Sequence, residues 1–402
     1  MSNWPTRYAD SLMKTFGAPP LLLQRGEGCY VWDVDGKKYL DFLAGIAVNS
    51  LGHAHPALVE AISRQAATLI HVSNYFATEP QIELAERLKR LSGAGERGRV
   101  YFANSGTEAN EAAFKLARLN SSNGTRTRIL ALQHSFHGRT MGALALTGKP
   151  QIRDAFEPVP PGVEHIDATI PALEAALDDR VAALFVEPIR GEAGVLELPA
   201  GYLKRARELT SKHGVLLILD EIQTGIGRTG RWFGFQHDGI VPDAVTIAKG
   251  TAGGVPIGAL ITFGWASEFF SPGQHGSTFG GNPLATAAGN AVLGEIENSG
   301  LVQNAERRGR ELREIVAGLN SELISGVRGR GLMLGIALTR PVATELHAQA
   351  LREGLIINAP DPSTIRLVPP LIVGDAELAD FALRFGRTLT AVASHSLTES
   401  TR

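Results

Sequence analysis

From about residue 57 onward the hydrophobic and polar positions switch between two periods. Apolar residues recur at helical spacing through Ala57 to Leu69 and again from Pro80 to Leu91. Short apolar runs follow at Arg99 to Ala103, Arg128 to Leu132, Val181 to Glu187, Val215 to Asp220, Asp243 to Ala248 and Gly258 to Thr262. Helical stretches such as Glu108 to Arg118 and Tyr202 to Lys212 separate most of them. Strands apolar on both faces and spaced by helices predict an α/β fold built on a mostly parallel sheet. Upstream, Tyr30-Val31-Trp32 and Lys38-Tyr39-Leu40 flank Asp35-Gly36, which predicts a hairpin closed by a type I′ turn. After about residue 300, long amphipathic helices (Val302 to Leu319, Pro341 to Glu353, Asp375 to Val392) alternate with short strands around Arg330 to Leu338 and Ile365 to Val368. This reads as a second, smaller α+β domain that the N-terminal hairpin joins, with a polar, frayed tail from Ser394.

Composition narrows the class. A chain of 402 residues buries about three quarters of its surface and leaves ~15,000 Å² exposed. Cys29 is the only cysteine, so no intrachain disulfide is available. Lys+Arg 39 against Asp+Glu 41 leaves a net charge of -2 and no electrostatic case for nucleic acid or an anionic membrane. Aliphatic runs such as Val215 to Leu219 fall far short of the ~20 residues that span a bilayer. The first residues, with Asp10, lack the apolar core of a signal peptide. A soluble, cytoplasmic protein is expected. The 45 glycines cluster beside apolar runs, where turns after strands bring backbone close to a ligand.

Three popular motifs fail on context. Gly225-Ile226-Gly227-Arg228-Thr229-Gly230 matches G-x-G-x-x-G, but Glu221 to Thr224 separate it from the preceding strand and no helix start follows. Gly142 to Lys149 has one residue too many for a P-loop, and Pro150 stands where Ser or Thr should hold magnesium. His53-Ala54-His55 has no matching ligand cluster, so no metal is expected.

Strand ends carry the chemistry, because ligands of such sheets bind beyond them. After Arg99 to Ala103 comes Asn104-Ser105-Gly106-Thr107-Glu108, a turn that feeds a helix N-terminus suited to a phosphate. The same residues would also serve as an ordinary N-cap. Asp220 ends one buried strand and Lys249 another. A carboxylate there must be paired to stay charged, and a lysine against apolar surface has its pKa lowered and becomes a nucleophile toward carbonyls. Taken singly, Asp220 could cap a helix and Lys249 could snorkel to solvent. Together, phosphate cup, buried carboxylate and lysine match the needs of pyridoxal 5′-phosphate.

The ordered motifs Ser105-Gly106-Thr107-Glu108-Ala109-Asn110, Phe136-His137-Gly138-Arg139-Thr140, Val186-Glu187-Pro188-Ile189, Asp220-Glu221-Ile222-Gln223-Thr224-Gly225, Ala248-Lys249-Gly250 and His275 to Pro283 carry a resemblance. The chain resembles, from hairpin to last helix, the class III aminotransferases of pyridoxal phosphate fold type I. That resemblance implies a large domain over 57–303 with a seven-stranded, mostly parallel sheet, and a small domain from 1–56 and 304–402. It implies that Lys249 bonds the cofactor and shuttles protons and that Asp220 keeps the ring nitrogen protonated. Phe136 and Ile222 would cover the ring faces, with Gln223 at the phenolic oxygen and His137 beside the ring. Ser105, Gly106 and Thr107 would cup the phosphate. Thr278 would reach the phosphate bound by a second copy, which implies a homodimer.

The same resemblance gives the substrate site. Arg139 would take the far carboxylate of either substrate, and Arg366 the proximal carboxylate of glutamate or 2-oxoglutarate. Glu192 would mask Arg366 while the proximal carbon bears no carboxylate. Glu187, Ser277 and Asn74 are further substrate-side candidates. Relatives that act on free ornithine carry a tyrosine where Phe16 stands here. Phenylalanine offers an ammonium no partner, so Phe16 favours N-acetylornithine as the donor to 2-oxoglutarate. Succinylornithine, N-succinyl-diaminopimelate, free ornithine and other omega-amino acids are the alternative donors. A lyase, decarboxylase or aminomutase on the same scaffold is disfavoured by the two arginines, since these need no second carboxylate substrate.

Overall fold

The structure, a computed structural model, describes residues 3–121 and 124–399. Its centre is a seven-stranded sheet. In spatial order the strands are Arg99–Ala103, Gly258–Thr262, Ala244–Ile247, Leu216–Asp220, Val181–Val186, Arg128–Leu132 and Val163–Ile166. All run parallel except Gly258–Thr262, which is antiparallel to both neighbours. Every residue of Val181–Val186, Leu216–Asp220, Ala244–Ile247 and Gly258–Thr262 is buried. Helices cover both faces, which is why these strands read as continuous apolar runs rather than alternating ones.

The edge strand Val163–Ile166 escapes the apolar-run reading because Glu164 and His165 interrupt it. Helix Pro283–Asn298 also went unexpected, although its start carries a plain signal. Pro283 sits in the first turn and the Asn282 side chain accepts from Ala285 N at 3.0 Å.

At the N-terminus, Leu23–Glu27, Tyr30–Asp33 and Lys38–Asp41 form an antiparallel sheet, and Leu355–Ile356 adds to it in parallel. The Asp35-Gly36 turn is not type I′, which needs positive φ at both central residues. Only Gly36 has it, at 83°. The Asp33 carboxylate accepts from Asp35 N at 3.0 Å and Lys37 N at 2.9 Å, so a longer loop with one left-handed residue is the better-bonded solution. A last antiparallel sheet, ordered Ile324–Arg330, Met333–Leu338, Thr364–Leu367 and Asn358–Asp361, lies under helices Leu301–Gly318 and Ala343–Arg352, while helix Asp375–Glu399 packs on Ala343–Arg352 and on the strands Lys38–Asp41 and Leu355–Ile356. The final helix thus extends beyond Ser394, where the polar sequence reads as frayed. Among the described residues no helix is long and apolar enough to cross a membrane.

Candidate active site

Five parallel strands send their carboxyl ends to one cavity of about 350 Å³. Asn104, Ser105, Gly106 and Thr107 follow Arg99–Ala103, and Phe136 to Arg139 follow Arg128–Leu132. Glu187, then Asp220 to Gln223, then Lys249 come from the next three strands.

At one end the chain enters helix Gly106–Leu119, with the Ser105 hydroxyl accepting from Glu108 N at 3.3 Å. Ser105 is thus an N-cap, and the cap itself aims the remaining unpaired N–H groups at the cavity. Thr107 Oγ1 accepts from Arg139 N and Thr140 N, each at 3.2 Å, and ties the two loops together. Glycines hollow out this corner. A Cβ on Gly106 would stand 2.7 Å from Ile222 Cδ1, and one on Gly138, whose φ is +136°, would collide with Thr107 Oγ1. The result is a cradle of backbone N–H and hydroxyl groups shaped for an anion.

At the floor, Asp220 Oδ2 accepts from His137 Nδ1 and Asn110 Nδ2, both at 2.8 Å, while Oδ1 accepts from Ile222 N at 3.1 Å. A carboxylate has about four acceptor positions. Three are filled, so one remains for a protonated ring nitrogen. Burial works against charge on His137, but the Asp220 hydrogen bond and the Asp220 and Glu187 charges outweigh it and raise its pKa. Asn110 is a residue the sequence reading did not single out. Wholly buried, it donates to His137 O at 2.7 Å and to Asp220, and accepts from Thr246 Oγ1 at 2.8 Å. Its signal was available: an amide on an otherwise alanine-rich buried helix face, one turn beyond Gly106.

Lys249 reaches the cavity from a backbone φ of +31°, an uncommon value for a residue with a side chain. Burial lowers its pKa, opposed by the Glu192 and Asp220 charges and assisted by Arg366. The amine is thereby moved toward its nucleophilic, neutral form. Burial pushes Glu187 to a pKa of about 7, and its Oε2 accepts from Phe136 N at 3.0 Å, fixing the backbone of that ring.

Beside the cavity Arg366, 1 % exposed, donates to Glu192 Oε1 at 2.5 Å and to Asn358 Oδ1 at 2.7 Å. Gln223 bridges to the cavity, donating to Glu192 Oε1 at 3.1 Å and accepting from Arg366 at 3.3 Å. Burial favours a protonated Glu192, but the Arg366 charge and hydrogen bond prevail and lower its pKa.

Four sequence-selected residues lie elsewhere. Asn74, Ser277 and Thr278 line a separate cleft of about 750 Å³ with Tyr75 and Tyr101. Asn74 is fully engaged there, donating to Ser277 O at 3.1 Å and Gly280 O at 3.0 Å and accepting from Gln81 at 2.8 Å. Ser277 touches the first cavity only through Asn104, which donates to its hydroxyl at 3.0 Å. Phe16 is 83 % exposed and lines neither space.

An anion cradle, a carboxylate with one open acceptor position and a pKa-lowered lysine define a pyridoxal 5′-phosphate enzyme of fold type I. The aminotransferase class-III family model matches residues 14–389, and the chain belongs to that family. It is 54% identical over 376 residues to the acetylornithine aminotransferase of Mycobacterium tuberculosis (strain ATCC 25618 / H37Rv), covering 93% of each chain. Two solved structures resemble it closely. The N-acetylornithine aminotransferase of Stenotrophomonas maltophilia K279a superposes with a TM-score of 0.82 at 37% identity, covering 94% of this chain and 97% of that one. The ornithine aminotransferase of Toxoplasma gondii ME49 gives 0.92 at 34% identity, covering 97% and 95%.

Proposed function

We propose that this aminotransferase moves the distal amino group of N2-acetyl-L-ornithine to 2-oxoglutarate, giving N-acetylglutamate 5-semialdehyde and glutamate. The observation that carries this reading is the Glu192–Arg366 pair beside Lys249. A cation built to bind a carboxylate, yet neutralised by one that can swing away, suits an enzyme whose two substrates differ at the reacting carbon. The sequence relatives support the choice of donor.

When bound, the cofactor supplies an electron sink for the pair left at the substrate carbon once its proton is removed. The Gly106–Thr107 helix terminus and the Thr107 hydroxyl hold its phosphate, and Ser105 holds that terminus in place. Asp220, oriented by His137, Asn110 and Ile222 N, would accept a hydrogen bond from the protonated ring nitrogen and so keep its proton in place. Phe136 and Ile222, which line the cavity, would flank the ring, and Gln223 would meet its phenolic oxygen. Lys249 Nζ, its pKa lowered by burial, would take the proton from the substrate carbon and return it in the second half of the exchange. Arg139, exposed at the mouth, takes the far carboxylate of either substrate. Glu192 neutralises Arg366 while the acylated amine reacts and releases it when 2-oxoglutarate enters.

The test is the visible absorption of the purified holoenzyme. N-acetyl-L-ornithine alone is expected to bleach the cofactor band, and 2-oxoglutarate to restore it. Phe16 does not line the cavity of the single chain, so free L-ornithine in parallel decides whether the acyl group is read. Conversion slower by roughly tenfold or more is expected. Equal rates would remove the acyl preference, and no bleaching by either amine would remove the donor assignment.

The same reading includes a homodimer in which Thr278 completes the partner's phosphate site. Tyr75, which lines that threonine's cleft, and Phe76 and Phe279, each next in sequence to a lining residue, are between 60% and 93% exposed. The single chain exposes 17,947 Å², well above the ~15,000 Å² of a compact monomer of its mass. Sedimentation is expected to give twice the 42.8 kDa chain mass. A fully active monomer would overturn it. We also take 57–303 as the large domain and 1–56 with 304–402 as the small one. The pairing of Leu355–Ile356 with Lys38–Asp41 supports the union of the two ends.

A further inference from the structure

The segment that carries Glu192 is strained. Gly194 has φ +91° and the fully buried Val195 has φ +59°. A β-branched residue in the left-handed region persists only where its surroundings over-determine it. What holds it lies on the neighbouring sheet. In the register of that sheet Arg328 stands opposite Gly335, and Gly335 stands opposite Arg366. Directly opposed residues share a face, so the two arginines flank one glycine in a row. The Glu192 segment crosses over that glycine, since a Cβ on Gly335 would stand 2.9 Å from Gly194 O.

Each arginine grips the segment from its own side. Arg366 holds the Glu192 carboxylate at 2.5 Å, and Arg328 Nε donates to Gly194 O at 2.8 Å. The other arm of Arg328 donates to Thr364 Oγ1 at 2.7 Å, two residues before Arg366 on the same strand. Lys149 Nζ adds a bond to Glu192 O at 2.6 Å. Among the described residues Arg328 has no carboxylate in ion-pair contact, so its bonding is spent on this one bridge.

We infer that Arg328 is a positioning residue for substrate discrimination, fixing the Glu192 segment to the Arg366 strand so that only the Glu192 side chain moves. This rests on Glu192 masking Arg366. Without Arg328 the strained turn relaxes, Glu192 drifts from Arg366, and ligands with a proximal carboxylate meet an unmasked cation in both half-reactions.

The experiment compares holoenzyme, Glu192→Ala, Arg328→Ala and Thr364→Val, the last removing only the strand-side anchor. Calorimetry measures the Kd for glutarate, a dicarboxylate with no reacting amine or carbonyl. Single-turnover kinetics measure the preference for N-acetyl-L-ornithine over glutamate as donor. In Arg328→Ala and Thr364→Val the glutarate Kd is expected to fall about fivefold and the donor preference about tenfold, both in the direction of Glu192→Ala. If Glu192→Ala shifts both quantities and the anchor variants shift neither, the positioning role is wrong and the masking stands. If Glu192→Ala shifts neither, the masking itself fails. Should Arg328→Ala not fold, Thr364→Val and Arg328→Lys, which can reach only one of the two oxygens, decide alone. Equal loss in both half-reactions with an unchanged glutarate Kd overturns the inference.

Discussion

Lys249→Met is expected to lower amino-group transfer by about 10⁴-fold or more and, in the same protein, to raise the melting temperature of the cofactor-free form. Both effects have one cause. The site holds an amine at a backbone φ of +31°, surrounded so that its charged form is disfavoured. In the proposed function that is what would make it a nucleophile and a proton carrier, and it is a cost to the fold that catalysis would justify. Methionine keeps the bulk and removes the desolvated charge. The sign follows from linkage. Lys249 has a folded pKa below its unfolded value. Its penalty is therefore full below the folded pKa and fades as pH rises toward the ordinary lysine range. The stability gain of Lys249→Met should accordingly be largest near neutrality and shrink in alkali. Melting curves of the two cofactor-free proteins across that range check it. A variant that is inactive and also less stable at every pH would show that Lys249 packs as an ordinary core residue.

Much of this was legible because strand ends on a parallel sheet announce themselves. Asp220 and Lys249 each terminate an unbroken apolar run, and charge there is conspicuous. Gly106 was visible as punctuation between a strand and a helix, though the reason it must be glycine, its approach to Ile222, is a contact across 116 residues of sequence that no local pattern records. Asn110 ends the Ser105 to Asn110 motif, yet one amide on a helix says nothing until its face is known. The Arg328–Gly335–Arg366 row was invisible for a deeper reason. It depends on the register of three strands, and register is a property of pairing rather than of any one segment. Asn74 and Phe16 are legible only through the family pattern. Both were placed by resemblance, and in the single chain one is bonded into a separate cleft and the other is exposed.

Arg228→Ala is expected to cost about 3–5 kcal/mol of stability, although the side chain lies outside the cavity. The loop Gly225 to Gly230, whose glycine spacing mimics a nucleotide motif, delivers one side chain. The Arg228 guanidinium is 2% exposed and, among the described residues, has no carboxylate in ion-pair contact, donating to Leu332 O at 3.2 Å and to Pro369 O. Burial pushes its pKa down to about 9, still above neutrality, so it remains a cation held by carbonyls. Alanine would leave a cavity and two buried carbonyls without donors. Arg228→Met fills the volume and spares the desolvation of a cation, so its loss should be smaller, about 1–3 kcal/mol. Urea unfolding of the cofactor-free proteins separates the two, and a loss under about 1 kcal/mol for alanine would mean that water replaces the guanidinium without strain. The gripped carbonyls bracket the binding machinery. Pro369 lies just beyond Arg366 on the same segment, and Leu332 immediately precedes the strand Met333–Leu338 that carries Gly335. Glutarate should therefore bind more weakly to Arg228→Met than to the parent. It should bind more tightly to Arg328→Ala, because one arginine holds the strand that presents Arg366 and the other holds the segment whose Glu192 pairs with it, the pair proposed to mask Arg366.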